Sequence, residues 1–281
     1  MRILVTGANG LLGPEVIGAA LARGHEALGL TRNDLDVTEE LAVEAVLHGH
    51  EPDAVVQCAA YTAVDRAEAE PALAMRINRD GAAHVAAACA SLGAVMVYLS
   101  SDYVFGGRRD RPWGHGEHPE PENHYGRTKL EGERAVAASG AEHLIARVSW
   151  LFGPARRSFV DAMVEKARAG ERLRVVNDQF STPTWTRTAA GTVLDLLERR
   201  ARGVFHVTGG GGAASRLDFV AEALRIRGIA VPVDGVPTGT FPEAARRPLY
   251  SVLDVSATEA FLGRPMPGWK EALRLYLEAT I

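Results

Sequence analysis

Two side chains that can move a proton, Tyr125 and Lys129, form a Y-x-x-x-K sequence at the start of a predicted helix. Residues at positions i and i+4 lie on one face of a helix, so the phenol and the ammonium group should be neighbours. A free phenol has a pKa near ~10, and a nearby positive charge lowers it by favouring the phenolate. This pair therefore suits proton transfer to a carbonyl oxygen, with Tyr125 as the donor during reduction.

A hydroxyl and a carboxylate, Ser101 and Asp102, follow the apolar run 95–100, which predicts a buried strand. The Ser101 hydroxyl can donate a hydrogen bond to the same carbonyl oxygen, in an oxyanion-type arrangement. Asp102 is placed to bind sugar hydroxyls, and the alternative is that it caps the loop after the strand. The predicted catalytic set is Ser101, Asp102, Tyr125 and Lys129.

A glycine-rich turn directly follows the first apolar run and opens a helical pattern. Its spacing is G-x-x-G-x-x-G, in which glycines allow close backbone approach to a pyrophosphate that the helix N-terminus attracts. A plain glycine turn is the alternative. The predicted dinucleotide contacts in this turn are Gly7, Gly10, Leu11, Leu12 and Gly13.

An arginine, Arg32, follows the second predicted strand, where an acidic residue would bind the ribose 2′-hydroxyl of NAD. Arginine there can bind a 2′-phosphate, so NADPH is the predicted coenzyme, with NADH as an alternative. A solvated arginine without a ligand is the other interpretation. The remaining predicted coenzyme contacts are Asp36, Val37, Ala59, Ala60, Tyr61, Tyr125 and Lys129.

The elements that must position these side chains alternate between apolar strands and helices. This order predicts an α/β fold with a Rossmann-like, doubly wound parallel sheet. Residues 1–150 are the predicted dinucleotide-binding domain, which 186–208 rejoin. Residues 151–185 and 209–281 are predicted to form a smaller C-terminal substrate-binding lobe at the carboxyl edge of the sheet.

The composition excludes several classes of protein. With 47% hydrophobic residues in 281, the chain can bury a core without disulfides, and Cys58 and Cys89 lack metal-ligand spacing. A formal net charge of -4 argues against general binding to nucleic acid or to anionic membranes. Because neither a signal peptide nor an apolar run of ~18 residues is found, a cytoplasmic protein is expected.

Together these motifs resemble the extended short-chain dehydrogenase/reductase family, and within it the dTDP-4-dehydrorhamnose reductases. The likeness runs along nearly the whole chain, and its most specific blocks surround Asp65 and Arg246. Besides the glycine turn, it rests on residues 35–38, 59–65, 101–105, 125–133, 147–150, 178–179, 183–184, 246–248 and 251–254.

The resemblance implies NADPH-dependent reduction of the 4-keto group of a dTDP-4-keto-6-deoxyhexose, a nucleotide sugar, in deoxysugar biosynthesis. It also implies that a set of later residues contacts this substrate beside Ser101 and Asp102. Those residues are Trp150, Gln179, Thr184 and Arg247. Some family members dimerise through a magnesium ion held by glutamates. Glu15 matches one ligand but 185–188 contain no acidic residue, so magnesium is not expected to be essential, and a monomer or weak homodimer is expected.

Three alternatives stay open at this point. One is a 4-ketoreductase for another nucleotide deoxysugar of natural-product glycosylation. Another is an epimerase or dehydratase on the same scaffold, although a dehydratase needs a further acid after Asp102, where Tyr103 stands. The third is a non-catalytic NADP-binding regulatory subunit, against which the intact pair of Tyr125 and Lys129 argues.

Overall fold

The computed structural model describes residues 1–107 and 109–279. Its strands are β1 (Arg2–Thr6), β2 (Glu26–Leu30), β3 (Ala54–Gln57), β4 (Val95–Ser101), β5 (His143–Val148), β6 (Leu151–Phe152), β7 (Leu173–Val176), β8 (Phe180–Ser181), β9 (Thr184–Trp185), β10 (Gly203–His206), β11 (Ala214–Ser215) and β12 (Val233–Val236). Its α-helices are α1 (Gly13–Ala22), α2 (Glu40–His50), α3 (Val64–Ala69), α4 (Pro71–Met75), α5 (Gly81–Leu92), α6 (His124–Ala138), α7 (Phe159–Arg168), α8 (Thr186–Glu198), α9 (Arg216–Arg227), α10 (Ser256–Leu262) and α11 (Trp269–Ala279). Across this part of the chain, no helix has the length and apolar character to span a bilayer.

The central sheet has six parallel strands in the order β10-β5-β4-β3-β1-β2. The predicted α/β fold with a Rossmann-like, doubly wound parallel sheet is therefore confirmed. Because the order reverses between β1 and β3, a crevice opens at the carboxyl ends of these strands, where such folds bind ligands. The predicted strand at 204–207 joins the sheet as β10, paired with β5 from Gly203 to His206.

Helices cover both faces of the sheet, which explains why its strands are almost continuously apolar. On one face, α1 and α8 bury Val16 and Val193 against Val5 of β1 and their neighbours. On the other face, α2, α5 and α6 pack over Leu4, with Val43 of α2 fully buried. The two layers hold the strand ends in a fixed position beneath the crevice.

The helical pattern predicted at 72–92 is interrupted in the structure. Between α4 and α5, Arg76–Asp80 form a π-helical turn, a local widening that is common at functional sites. The turn places Asn78 in the interior, where its side chain bonds both Tyr61 backbone polar groups and the Thr128 hydroxyl. Asn78 thus fastens the segment after β3 to α6, which carries Tyr125 and Lys129.

A smaller lobe, with its own apolar cluster, lies beside the sheet. The cluster draws on α7, α9 and α11, with Phe219 and Trp269 almost fully buried. The short pairs β7–β12, β6–β9 and β8–β11 connect its segments. Two short helices, α3 and α10, were not predicted from the sequence. Leu262 of α10 packs into the sheet cluster instead of the lobe, and the predicted domain boundaries stay a prediction.

Candidate active site

The glycine turn after β1 leaves no room for side chains. Gly7 has φ +69°, and a Cβ there would lie 2.6 Å from the backbone nitrogen of Ala59. A Cβ on Gly13 would lie 2.5 Å from the Gly7 carbonyl oxygen, so this glycine permits the tight return of the chain into α1. The turn therefore presents bare backbone at the N-terminus of a helix, which is a cradle for phosphate.

A cavity of about 930 Å³ extends from this turn along the carboxyl edge of the sheet. Gly13 does not line it and acts only through the shape of the turn. All other residues predicted to bind the coenzyme line this cavity, namely Gly7, Gly10, Leu11, Leu12, Arg32, Asp36, Val37, Ala59, Ala60, Tyr61, Tyr125 and Lys129. We call this space the coenzyme cavity. Its volume and its backbone cradle fit a dinucleotide.

Arg32 lies at one end of the coenzyme cavity. Its guanidinium donates to the Asp36 carboxylate at 3.1 Å, and the side chain is 72% exposed. Asp36 in turn accepts hydrogen bonds from the backbone and hydroxyl of Thr38. The aspartate thus holds the arginine at the cavity mouth, where further N–H groups of the guanidinium point to solvent.

Sequence reasoning missed a second arginine, Arg156, in the loop between β6 and α7. Its guanidinium donates two hydrogen bonds, of 3.1 and 2.9 Å, to the carbonyl oxygen of Asn9 in the glycine turn. Arg156 and Arg157 both line the coenzyme cavity. The only signal in the sequence was an arginine pair after a short strand, and nothing in that pattern points to a turn almost 150 residues earlier.

Helix α6 brings Tyr125 and Lys129 to the inner end of the coenzyme cavity. The helix begins after Asn123, whose side-chain oxygen accepts from the Gly126 backbone nitrogen. Lys129 is 2% exposed, and its ammonium lies 4.1 Å from the centroid of the Tyr98 ring. Burial lowers the pKa of Lys129 to about 7, although Glu133 and Cys58 act in the opposite direction.

In the protein alone the pKa of Tyr125 is raised, whereas the sequence predicted that Lys129 together with the positive nicotinamide would lower it. Burial raises the pKa of the Tyr125 phenol, and Asp102 and Tyr103 add to the rise, while a hydrogen bond with Ser101 offsets part of it. Lys129 does not counter this effect because its ammonium is directed to the Tyr98 ring. A phenol with its ordinary pKa is already protonated at neutral pH, so the rise makes Tyr125 a weaker acid, and a positive charge near the phenol would be needed to offset it.

Asp102 is enclosed by serine hydroxyls rather than open to solvent. Its Oδ1 accepts from Ser101 at 3.0 Å, and its Oδ2 accepts from Ser149 at 3.1 Å, Ser181 at 2.9 Å and Ser251 at 2.6 Å. We call these four residues the serine cage. Burial raises the pKa of Asp102, and the hydrogen bonds of the cage lower it in part. Asp102 is therefore more than a loop cap, because its hydrogen bonds connect the end of β4 to the end of β5 and to the smaller lobe.

A second cavity, of about 170 Å³, adjoins the coenzyme cavity on the side of the smaller lobe. The two cavities share four lining residues, Ser101, Asp102, Tyr125 and Trp150. Trp150 has φ +43°, a left-handed conformation that bulky residues rarely adopt. Three predicted catalytic residues thus stand where a molecule in one cavity would meet a molecule in the other. We call the smaller space the substrate cavity.

The structure brings only some of the predicted substrate residues to the substrate cavity. Trp150 and Gln179 line it, together with Ser101 and Asp102. Thr184 is fully buried, its hydroxyl bonded to the backbone of Thr182 and Gly209, so the structure gives its prediction no support.

The predicted diphosphate residue Arg247 lies outside both cavity walls. Its guanidinium pairs with Asp65 at 2.6 Å and with Glu243 at 3.1 Å, which neutralises its charge. The highly specific Asp65 and Arg246 blocks of the sequence therefore meet in space to hold the chain segment at 243–248 against α3. This is a structural role that the sequence pattern could not separate from ligand binding.

Metal ligands do not assemble in the described ranges, 1–107 and 109–279. No group of three or more His, Cys, Asp or Glu side chains there could hold an ion. Glu15, which matches a metal ligand of some family members, lies 3.9 Å from the Arg187 guanidinium. The expectation that magnesium is not essential stays a prediction.

A doubly wound parallel sheet, a glycine turn after β1 and a Tyr-x-x-x-Lys pair at the inner end of the cavity together define a short-chain dehydrogenase/reductase, a class of nicotinamide-dependent oxidoreductases. A family model described as the RmlD substrate binding domain matches residues 1–281. The chain belongs to this family, that of the dTDP-4-dehydrorhamnose reductases.

Known relatives are similar over almost their whole length. A dTDP-4-dehydrorhamnose reductase of Streptomyces griseus is 40% identical, over 97% of this chain and 91% of the relative. A dTDP-4-keto-6-deoxy-D-glucose reductase of Streptomyces niveus is 37% identical, over 97% of this chain and 95% of the relative. The crystal structure of a dTDP-4-dehydrorhamnose reductase from Bacillus anthracis in complex with NADP superposes with a TM-score of 0.95, at 33% identity, covering 99% of both chains.

Proposed function

We propose that the chain reduces the 4-keto group of a dTDP-4-keto-6-deoxyhexose with NADPH. The observation that carries the proposal is the meeting of the coenzyme and substrate cavities at Ser101, Asp102 and Tyr125. Membership of a family whose named members are dTDP-4-dehydrorhamnose reductases supports the substrate class. The B. anthracis relative, which binds NADP, supports the coenzyme.

In the proposed reaction, the bound coenzyme supplies hydride to the carbonyl carbon. Tyr125 would give its phenolic proton to the carbonyl oxygen as that oxygen becomes basic, and a positive charge near the phenol would help by offsetting its raised pKa. The Ser101 hydroxyl now donates to Asp102, and a rotation about its C–O bond would direct it to the carbonyl oxygen as a second donor.

Lys129 is proposed to act on both the coenzyme and Tyr125. Its buried ammonium, with a pKa lowered to about 7, can gain or lose a proton near neutrality. It lies in the wall of the coenzyme cavity four residues after Tyr125, where it can hold ribose hydroxyls. To stabilise the phenolate that proton transfer leaves on Tyr125, the ammonium would have to turn away from the Tyr98 ring, over which it lies in this structure.

The preference for NADPH is proposed from Arg32, an arginine at the mouth of the coenzyme cavity. Arg32 is held at the cavity mouth by Asp36, in the position that suits a ribose 2′-phosphate. Arg156, which donates to the Asn9 carbonyl oxygen of the glycine turn, would serve the pyrophosphate that NADPH and NADH share, and so does not bear on the preference. Charge-assisted bonds from guanidinium groups to phosphate are stronger than neutral ones, so NADPH should bind more tightly than NADH.

The test is the loss of NADPH absorbance when the purified chain meets dTDP-4-keto-6-deoxyglucose. NMR of the product would give the stereochemistry of the new hydroxyl. Intact NADPH binding without turnover of any nucleotide 4-ketosugar in a panel would overturn the proposed reaction. Turnover of a different panel member alone would favour the second candidate, a ketoreductase for another deoxysugar. The name of the S. niveus relative keeps that candidate open.

A further inference from the structure

An arginine that the sequence did not single out, Arg216, lines the substrate cavity at the start of α9. Its Nε donates to Gln179 Oε1 at 3.1 Å. Within residues 1–107 and 109–279, no carboxylate pairs with its guanidinium, and its two terminal amino groups have no hydrogen-bond partner. By contrast, Arg247 is neutralised by two carboxylates. Arg216 is thus a partly buried positive charge with a free face.

Neighbouring groups hold Arg216 in one orientation. Its guanidinium carbon lies 5.2 Å from the centroid of the Trp150 ring and 5.3 Å from that of Phe159. Gln179, which accepts from its Nε, donates to the Thr238 hydroxyl at 3.2 Å, and that hydroxyl donates to Asp178 at 2.6 Å. A planar guanidinium that is already oriented loses little entropy when its free N–H groups bind an oxyanion.

The other groups of the substrate cavity indicate what the anion is attached to. They include the Tyr103 hydroxyl and the oxygens of Ser181 and Ser251, which donate their own protons to Asp102 and can accept from the hydroxyls of a polyhydroxylated ring. At about 170 Å³, the cavity is smaller than the ~300 Å³ or more of a site that encloses a drug-sized ligand. It can therefore enclose only part of a nucleotide sugar. The diphosphate that links the sugar to the nucleoside must then run along the wall of the cavity.

We propose that Arg216 binds the diphosphate of the nucleotide sugar and makes the site selective for activated over free sugars. The inference rests on the proposed substrate class but not on turnover. It replaces Arg247, which the sequence suggested for this role, because Arg216 lies in the cavity wall with no carboxylate partner among the described residues, whereas Arg247 lies outside that wall and pairs with Asp65 and Glu243.

The experiment measures binding of dTDP and of thymidine by calorimetry to the full chain saturated with NADP⁺. The variants are Arg216→Gln and Arg216→Lys, with Arg225→Gln on the same helix as control, because Arg225 is exposed and pairs with Glu222. We expect the wild type to prefer dTDP, and Arg216→Gln to lose about 10- to 100-fold in dTDP affinity, the range for hydrogen bonds to charged groups. Arg216→Lys should lose less, and thymidine affinity should not change.

Unchanged dTDP affinity in Arg216→Gln, or no preference of the wild type for dTDP over thymidine, would overturn the inference. NADP⁺ affinity equal to that of the wild type shows that each variant is folded. The outcome is separable from the proposed reaction. A wild type that binds dTDP through Arg216 but reduces no 4-ketosugar refutes only the reaction, and normal turnover with an unchanged KM in Arg216→Gln refutes only the inference.

Discussion

The phenol of Tyr125 is the residue on which the proposed chemistry depends most directly. Tyr125→Phe removes the proton donor and keeps the ring, so kcat should fall by about 100-fold or more, the contribution of a general acid. NADPH affinity, measured by fluorescence titration, should stay within about twofold, since the glycine turn and Arg32 are untouched. Tyr250→Phe, outside both cavity walls, is the matched control. Equal turnover in Tyr125→Phe would remove Tyr125 from the mechanism.

The buried ammonium of Lys129 makes stability depend on pH in a definite direction. Its pKa is about 7 in the folded chain and near 10.5 when unfolded, so between these values the unfolded chain holds one more proton. The free energy of unfolding should therefore rise with pH in this window. In the absence of coenzyme, the free energy of unfolding of the wild type should rise between pH 7 and pH 9 by about 2 kcal/mol more than that of Lys129→Met. Urea unfolding of both proteins at both pH values measures this, and parallel pH dependences would contradict it.

Among the helices, α6 shows how element packing places the reacting groups. A Cβ on Gly132 would collide with the Tyr98 hydroxyl and the Asn78 carbonyl oxygen, so the helix can approach β4 and the π-helical turn only because residue 132 is glycine. The same Tyr98 ring carries the Lys129 ammonium. The position of Lys129 is thus set by a glycine less than one turn of helix further along.

Substitution of two helical glycines tests this packing. Gly132→Ala should lower the free energy of unfolding by about 1 to 3 kcal/mol through overpacking. Gly18→Ala in α1, with open space around its Cβ, should raise it by about 0.5 to 1 kcal/mol, because alanine loses less backbone entropy. Chemical denaturation of both variants gives the comparison. Stabilisation by Gly132→Ala would show that α6 has room to shift.

Local patterns predicted the elements well where a single segment carries the signal. The sheet and β10 follow from apolar runs, and the backbone cradle after β1 follows from glycine spacing, which are properties of neighbouring residues. The serine cage, Arg156 and Arg216 were missed because each depends on segments far apart in the chain, as Ser251 does on Asp102. Thr184 and Arg247 line neither cavity because residues distant in the chain, Gly209 and Asp65, hold their side chains, so their contact with substrate stays a prediction.

For the whole molecule, the serine cage is a joint between sheet and lobe. Ser251 is 2% exposed and donates to Asp102 at 2.6 Å, so Ser251→Ala should cost about 1.5 to 3 kcal/mol, the value of a hydrogen bond to a charged group. Tryptophan fluorescence reports mainly on the lobe, and far-UV circular dichroism reports on the whole chain. We expect both probes to give the same unfolding midpoint in the wild type, and the same lower midpoint in Ser251→Ala. Ser91→Ala, at an exposed hydroxyl, is the control. Separate midpoints in the wild type would show that the lobes unfold independently.

The narrow overlap of the two cavities has a consequence for how this scaffold can diversify. Among the described residues, only Ser101, Asp102, Tyr125 and Trp150 belong to both walls, so other positions in the wall of the smaller cavity can be changed without contact with the coenzyme. Positions 64, 180 and 248 line only this cavity and belong neither to the serine cage nor to the groups that orient Arg216, so they are open to such redesign. A library confined to these positions should yield enzymes that prefer other sugars and keep the same affinity for the coenzyme. Substrate recognition and hydride transfer can therefore evolve separately.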